Sequence, residues 1–224
     1  MPKINLPAAP AAGPVKDCRL CPRLAYFRDA NRKQFPDWHN GAVPAFGGLD
    51  ATLLVVGLAP GLRGANRTGR PFTGDYAGVL LYPSLLKYGR AKGTYGAEFD
   101  DGLELVDCRI TNAVRCVPPE NKPTPLEQKT CRGFLVTEIA SMPRLRSILV
   151  LGRIAHDAVM STLGLRKVTH PFAHAAQHRV EGDKTLTITD SYHCSRYNLN
   201  TGVLTEPMFH AALERAISAT QRTS

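Results

Sequence analysis

Four short apolar runs along the chain predict buried β-strands, at residues 52–56, 109–114, 146–151 and 184–189. Between and after them, apolar periodicity and capping signals predict helices at 76–88, 125–139 and 154–163, and a last helix that begins near residue 205. Strands that alternate with helices are typical of a parallel sheet covered on both faces. We therefore expect an α/β fold: a single-domain α/β/α sandwich with a central, mostly parallel four-stranded sheet.

The ends of the chain differ in composition from its centre. Residues 1–14 are rich in proline and alanine, which predicts a flexible arm ahead of a folded domain at 15–220. No apolar run reaches the roughly 18 residues of a membrane span, and prolines interrupt the N-terminal segment before a secretory signal could form. We expect a cytoplasmic monomer that does not contact a membrane.

Charge adds a hypothesis about partners. The 224 residues include 28 Lys and Arg against 19 Asp and Glu, a net charge of +9, while 43% hydrophobic residues is ordinary for a globular protein. Such an excess suits a polyanion, either nucleic acid or an anionic membrane surface.

The cysteines suggest a metal centre. Cys18 and Cys21 form a C-x2-C pair, and Cys116 and Cys131 are separated by fourteen residues. A four-cysteine zinc site usually combines two closely spaced pairs, so the split second pair favours a [4Fe–4S] cluster. Zinc and unconnected buried cysteines remain open on spacing alone. Cys108 and Cys194 are left over, and Cys108, which leads into a strand, is expected to be buried.

The loop after the first strand carries candidate chemistry. Residues 57–78 contain six glycines, but neither a Walker A loop nor a dinucleotide fingerprint. Three kinds of side chain in this loop suit chemistry on a nucleobase. Arginines can bind phosphates, an aromatic ring can stack on a base, and a single acid can transfer a proton. The residues are Arg63, Arg67, Arg70, Phe72 and Asp75. The structural alternative is that the glycines only serve turns.

Two further candidates lie at strand ends, where open α/β sheets bind ligands. His193, in the loop 190–205, can donate a hydrogen bond or carry positive charge toward a developing anion. Asn112, near the end of the second strand, offers an acceptor and a donor that match a pyrimidine edge. A structural loop histidine and a satisfied strand-end amide are the alternatives. His170, His174 and His178 have helical spacing, but Pro171 disfavours a metal-binding helix, so we expect solvent-facing or loop roles.

These motifs together resemble family 5 of the uracil-DNA glycosylase superfamily, the type b enzymes with an iron–sulfur cluster. The similar segments are GLAPGLRGANRTGRPFTGD, TNAVRC and HCSRYNLNTGVLT. Cys194 stands where the family usually has proline. Residues 57–61 lack the polar side chain that other branches of the superfamily use to handle water, and the resemblance points to Asp75 as the substitute acid.

The resemblance implies a DNA repair enzyme that removes uracil and other deaminated or damaged bases from DNA and leaves an abasic site. It implies Asp75 and His193 as catalytic residues, and base contacts from Gly57, Leu58, Ala59, Gly61, Phe72 and Asn112. It implies DNA contacts from Arg63, Arg67, Arg70, Ser195, Arg196 and Asn198, and a structural [4Fe–4S] cluster on Cys18, Cys21, Cys116 and Cys131. The alternatives are a non-enzymatic iron–sulfur or zinc nucleic-acid-binding protein, and a redox protein.

Overall fold

A computed structural model describes residues 13–182 and 184–221. The predicted arm lies outside the described residues except for Gly13 and Pro14. Among the described helices, none has the length and apolarity needed to cross a bilayer.

A twisted sheet of five strands forms the centre of the fold. In chain order, the strands of the molecule are β1 Leu53–Gly57, β2 Ala91–Lys92, β3 Glu104–Leu105, β4 Cys108–Asn112, β5 Ser147–Leu151, β6 Gln177–Val180 and β7 Leu186–Ser191. The spatial order in the central sheet is β4-β1-β5-β7-β6, and β2 pairs with β3 in a separate small hairpin. The four predicted strands are β1, β4, β5 and β7, and they are mutually parallel.

The prediction of four strands was wrong by one strand. β6 pairs antiparallel with β7 at the edge of the sheet. Its sequence is polar, and two of its four side chains are exposed, because an edge strand with one open face does not need a continuous apolar run. His178 lies in this strand, contrary to the expected solvent-facing or loop role, whereas His170 and His174 lie in the preceding loop.

The helices cover both faces of the sheet. They are α1 Pro22–Gln34, α2 Ala65–Thr68, α3 Tyr76–Lys87, α4 Pro125–Ala140, α5 Arg153–Thr162, α6 Arg196–Asn200 and α7 Glu206–Ser218. Local sequence signals fix several starts: Asp75 caps α3, Thr205 caps α7, and Thr124 with Glu127 forms the expected capping box of α4. α1, which no motif predicted, begins at Pro22 directly after Cys21.

Side-chain alternation along the strands divides the core in two. Leu54 and Val56 of β1 face the side covered by α4 and α5, whereas Leu53 and Val55 face the side covered by α3 and α7. All four side chains are fully buried. Both faces of β1 are therefore apolar, as expected for a central parallel strand, and the sandwich prediction is confirmed.

The carboxyl ends of the strands bring distant segments together. Gly57 at the end of β1 is in register with Asn112 at the end of β4. β7 ends at Ser191, two residues before His193, and Gly152 after β5 lies against His193: a Cβ on Gly152 would stand 3.3 Å from that of His193. Loops that are far apart in sequence thus meet at one edge of the sheet.

Candidate functional site

A cavity of about 340 Å³ opens at this edge. The loop after β1 lines it with Leu58, Ala59, Gly61, Phe72 and Asp75. The other loops contribute Asn112, His193, Ser195 and Arg196. Most of the residues that the sequence singled out for base contact or catalysis are therefore gathered around one pocket of the size that binds small organic groups.

Asp75 is the acid of this pocket and the N-cap of α3. Its carboxylate accepts a hydrogen bond of 3.1 Å from the amide of Gly78. Burial raises the pKa of Asp75 above its ordinary value, although amide hydrogen bonds at Gly78 and Ala77 act in the other direction. A Cβ on Gly64 would stand 2.6 Å from Asp75 Oδ2, so glycine at this position leaves room for the carboxylate.

Phe72 and Asn112 approach the cavity across Gly57. A Cβ on Gly57 would stand 2.3 Å from Phe72 Cζ and 2.5 Å from Asn112 Oδ1, so the end of β1 has to be glycine. Gly57 therefore does not line the cavity but lets both side chains reach it. Phe72 has a φ of +54°, unusual for a bulky residue. The hydroxyl of Tyr95 donates to its carbonyl oxygen at 3.3 Å.

The side chain of Asn112 offers an unused acceptor. The residue is 3% exposed, and its Oδ1 has no hydrogen-bond partner within the described part of the chain. A buried carbonyl oxygen left without a donor is destabilising, so such an atom at the wall of a cavity indicates a ligand with an N–H or O–H group.

His193 faces Phe72 across 6.3 Å between ring centroids. Burial lowers the pKa of His193 to about 4, so the imidazole is neutral near pH 7 and can donate one hydrogen bond. Asn198 Nδ2 donates to the carbonyl oxygen of His193 at 2.8 Å, and Ser195 Oγ accepts from the amide of Asn198. Ser195 and Asn198 thus hold the loop that carries the histidine.

The comparisons with known proteins agree with this geometry. The family model of the uracil DNA glycosylase superfamily matches residues 44–217. The chain belongs to that superfamily. It is 44% identical over 205 residues to the Type-5 uracil-DNA glycosylase of Thermus thermophilus, covering 89% of this chain and 92% of the relative.

Two further relatives are more distant members of the uracil-DNA glycosylases. The Type-5 enzyme of Pyrobaculum aerophilum is 37% identical over 204 residues, which cover 89% of this chain and 88% of the relative. The Type-4 enzyme of the same organism is 32% identical over 153 residues, which cover 68% of this chain and 64% of the relative. The resemblance seen in the motifs is confirmed.

The predicted DNA-contacting arginines of this superfamily member fall into two groups. Arg63 and Arg196 are exposed, and the guanidinium of Arg196 lies 5.0 Å from the ring centre of Tyr76. Arg67 is half-buried and forms a 2.9 Å ion pair with Glu98. These three have access to solvent near the loops of the pocket.

Arg70 corrects the sequence expectation. It is 2% exposed and forms a two-point ion pair with Asp101, at 2.8 and 2.6 Å. Its Nε also donates to Thr73 Oγ1 at 2.7 Å. A guanidinium enclosed in this way does not reach a phosphate; instead it fastens the loop segment on either side of Phe72. Sequence pattern alone did not distinguish this arginine from its neighbours in the loop.

The four expected metal ligands also come together. Cys18, Cys21, Cys116 and Cys131 border one small pocket next to α1 and α4. The amide of Arg115 donates to Cys131 Sγ at 3.3 Å. Burial raises the pKa of Cys21 to about 11 and that of Cys116 to about 12, and the neighbouring thiols act in the same direction. Cys108 and Cys194 lie elsewhere in the core, as expected for Cys108.

A second polar cluster lies at the end of β7. Asp190 is fully buried, and its carboxylate oxygens lie 2.8 Å from His156 Nδ1 and 3.1 Å from His178 Nε2. The amide of Ala173 donates to the same carboxylate at 3.2 Å. Because a carboxylate only accepts hydrogen bonds, both imidazoles and the amide of Ala173 donate to it. The cluster ties β6 and α5 to the strand that leads to His193.

Asn121 is a pocket residue that the sequence analysis missed. It is exposed, has a φ of +57° and lines the cavity from the loop between Cys116 and Cys131. It lies between Pro119 and Pro123, in a segment that none of the sequence motifs includes. The signal that could have found it is asparagine itself, which tolerates the left-handed conformation.

Proposed function

We propose that this protein hydrolyses the N-glycosidic bond between uracil, or a related deaminated base, and deoxyribose in DNA, leaving an abasic site for repair. Its superfamily and the names of its relatives support this activity. The observation that carries the proposal is the pocket in which a stacking ring, an unpaired amide acceptor, a carboxylate and a neutral histidine converge. Each of the four has a separate role in removing a base.

The base leaves the duplex to enter the pocket, at a cost of a few kcal/mol that is least for mispaired bases. Phe72 stacks on the flipped ring. Asn112 Oδ1 accepts from N3–H of uracil, and the amide nitrogen donates to a neighbouring carbonyl oxygen. Backbone at Leu58 and Ala59 closes the pocket. Cytosine has no N3–H, so this pairing distinguishes uracil from cytosine.

The reaction breaks the bond from C1′ of the sugar to N1 of the base. The bonding electron pair leaves with uracil, and positive charge develops on the sugar. The neutral imidazole of His193 donates a hydrogen bond to the oxygen that takes up the negative charge. Water attacks C1′, and its proton passes to the Asp75 carboxylate. Because burial raises the pKa of Asp75, this carboxylate is a stronger base than an exposed aspartate.

The surface around the pocket suits a DNA backbone. Arg63, Arg67 and Arg196 supply positive charge to phosphates, consistent with the net charge of +9. Tyr197, next to Arg196 on α6, is 73% exposed, and its ring is available to stack where the flipped base leaves a gap.

A [4Fe–4S] cluster on Cys18, Cys21, Cys116 and Cys131 completes the proposal. Around one zinc ion, sulfurs at about 2.3 Å from the metal stand roughly 4 Å from one another. Among the described residues, no three of these sulfurs lie within 4.8 Å of one another. Wider spacing suits a cluster, in which each thiolate binds a different iron. Cys18, Cys21, Cys116 and Cys131 would hold the cluster, and it would then cross-link α1, α4 and the loop that carries Asn121.

The activity is tested with purified protein and a duplex that contains one uracil opposite guanine. After alkali treatment we expect strand scission at the uracil, and free uracil by mass spectrometry. The same duplex with thymine in place of uracil is the control. Tight binding to the uracil duplex with no release of base would instead support the non-enzymatic nucleic-acid-binding alternative.

The metal centre is tested separately by metal analysis. We expect iron and acid-labile sulfide in the purified protein, and their loss in Cys116→Ala. Cys108→Ala is the matched control, because Cys108 is a buried cysteine of the adjacent strand β4 that lies outside the centre. Zinc in place of iron would contradict the cluster and leave the glycosylase proposal intact.

A further inference from the structure

Two arginines beside the four cysteines are enclosed in the protein. Arg28 of α1 and Arg115, which follows β4, are each 1% exposed and are among the largest fully buried side chains of the described residues. Arg28 NH1 donates to the carbonyl oxygen of Cys18 at 2.7 Å. Arg115 directly precedes Cys116, and its amide bonds to Cys131 Sγ. The guanidinium of Arg28 therefore lies beside one of the four cysteines, and Arg115 lines the small pocket that they border.

Each guanidinium keeps unused donors. Nε and NH2 of Arg28, and Nε and NH1 of Arg115, are buried and have no hydrogen-bond partner within the described residues. Arginine stays charged under all ordinary conditions. Buried charges are normally paired and fully hydrogen-bonded, because an unpaired one is strongly destabilising. Four donor nitrogens without a partner near one site indicate that an anion is held there.

Protein carboxylates do not balance these charges. Glu138 accepts from both Arg109 and Arg115, so one negative charge serves two arginines. Asp29 lies 3.6 Å from Arg28 Nε, but it is half-exposed and also contacts Arg19 and Arg32. Arg28 therefore has only a shared, half-exposed carboxylate near it, and Arg115 shares the buried carboxylate of Glu138 with Arg109.

The four thiols are the groups that these arginines accompany. Arg115 lines the same small pocket that Cys18, Cys21, Cys116 and Cys131 border. Cysteine binds a metal as the thiolate, which is an anion. The buried guanidinium charges therefore lie near groups that become negative when a metal is bound.

We propose that Arg28 and Arg115 are the internal counter-charges of the four-cysteine metal centre, and that their free N–H groups serve as donors to its sulfur atoms. The inference rests on the metal centre of the proposed function. Four thiolates outweigh the positive charge of a cluster core or of a zinc ion, so the loaded centre is an anion in either case. The arginines then hold the metal group in place electrostatically, without ligating it.

The test is metal retention in the loaded protein. We expect Arg28→Gln and Arg115→Gln to release iron to a chelator about tenfold faster than wild type, because a hydrogen bond to a charged group contributes roughly 1.5 kcal/mol. Arg28→Lys and Arg115→Lys keep the charge and should recover part of the retention. Arg70→Gln is the matched control, because Arg70 is a buried arginine that donates its hydrogen bonds to Asp101 and Thr73. This variant should release iron at the wild-type rate.

Circular dichroism on every variant separates loss of metal from loss of fold. A wild-type release rate in folded Arg28→Gln and Arg115→Gln would overturn the proposal, and so would an equal acceleration in Arg70→Gln. If a glutamine variant does not fold, the lysine variant at the same position is tested in its place. A folded lysine variant that releases metal at the rate of wild type and Arg70→Gln would contradict the need for the guanidinium donors. Wild-type protein without metal on its cysteines would also contradict it. Base release by the freshly purified protein is measured in parallel, so failure of the glycosylase activity is recognised independently.

Discussion

The proposed base pocket and the proposed metal centre both contain buried polar atoms that have no hydrogen-bond partner among the described residues, but these atoms are of opposite kinds. At the pocket the unpaired atom is an acceptor, Asn112 Oδ1, whereas at the metal centre the unpaired atoms are the donors of Arg28 and Arg115. An unused acceptor fits a neutral ligand with an N–H group, such as a base. Unused cationic donors fit an anion. The kind of unpaired group thus supports the ligand that we propose for each region.

The two regions also share a wall. Ala59 lines the base pocket and packs against the apolar cluster that contains the cysteines. Asn121 reaches the same pocket from the loop between Cys116 and Cys131. The segments that carry the four cysteines therefore form one side of the proposed base pocket.

The largest expected effect is at Asp75. Asp75→Asn should lower the single-turnover rate of base release by about 10²–10⁴-fold, as loss of a general base does. Asparagine is also a good N-cap, so α3 and DNA binding should persist. As the pH is lowered from neutrality, wild-type activity should be lost at a pH above the ordinary pKa of aspartate, because burial raises the pKa of Asp75. This acid limb should flatten in the variant.

Asp37→Asn, an exposed aspartate before the sheet, is the control for Asp75 and should act like wild type. Unchanged base release in Asp75→Asn would remove this carboxylate from the mechanism.

Asn112→Leu tests whether the unpaired acceptor of the pocket binds the base. Removing the acceptor should slow release of uracil by about 10- to 100-fold, since a lost hydrogen bond to a buried partner amounts to roughly 1–3 kcal/mol. The same change should leave the free energy of unfolding equal or higher, because it removes an unsatisfied buried group. Denaturant melts and single-turnover assays measure the two effects.

Thr111→Val is the matched control, because Thr111 Oγ1 is another buried, unpaired atom on β4 but does not line the pocket. It should preserve base release. Equal slowing in both variants would indicate general damage to β4 rather than a lost base contact.

His193 gives a pH dependence of stability. The unfolded histidine binds a proton near pH 6.5 but the folded one only near pH 4, so in that window the unfolded state holds more protons. Stability is therefore lost as pH falls, by about 2 kcal/mol at pH 5 for this group. His193→Gln should remove this part of the acid sensitivity in urea melts at pH 7 and pH 5. Equal sensitivity in both proteins would show that His193 is not shielded from protonation.

The smallest effect is expected at the surface. Arg196→Gln should weaken DNA binding alike for uracil and thymine duplexes and reduce the slope of log Kd against log salt by about one. Arg144→Gln is the control, because Arg144 is exposed at the opposite, amino-terminal edge of β5. An unchanged slope in Arg196→Gln would assign this arginine no phosphate contact.

Much of the fold followed from local patterns. The apolar runs predicted β1, β4, β5 and β7 to within two residues, and the capping box at Thr124 predicted the start of α4. These elements depend on burial and on capping hydrogen bonds that adjacent residues determine. The domain boundaries, monomeric state and cytoplasmic location stay predictions.

Other features depended on partners distant in sequence. β6 exists because β7 offers it an edge, and Arg70 is buried because Asp101 lies 31 residues further along the chain. Asn121 reaches the pocket only through the fold of the loop between the cysteines.

By itself, the sequence determined the four parallel strands β1, β4, β5 and β7, the glycine-rich loop, the cysteine spacing and the family to which these belong. Those properties are encoded in residues a few positions apart, or in motifs whose order is preserved along the chain. Only the tertiary structure decided which arginine is buried, which amide oxygen stays unpaired and which cations surround the thiols. Burial and hydrogen-bond satisfaction are properties of three-dimensional surroundings, and a linear pattern does not contain them.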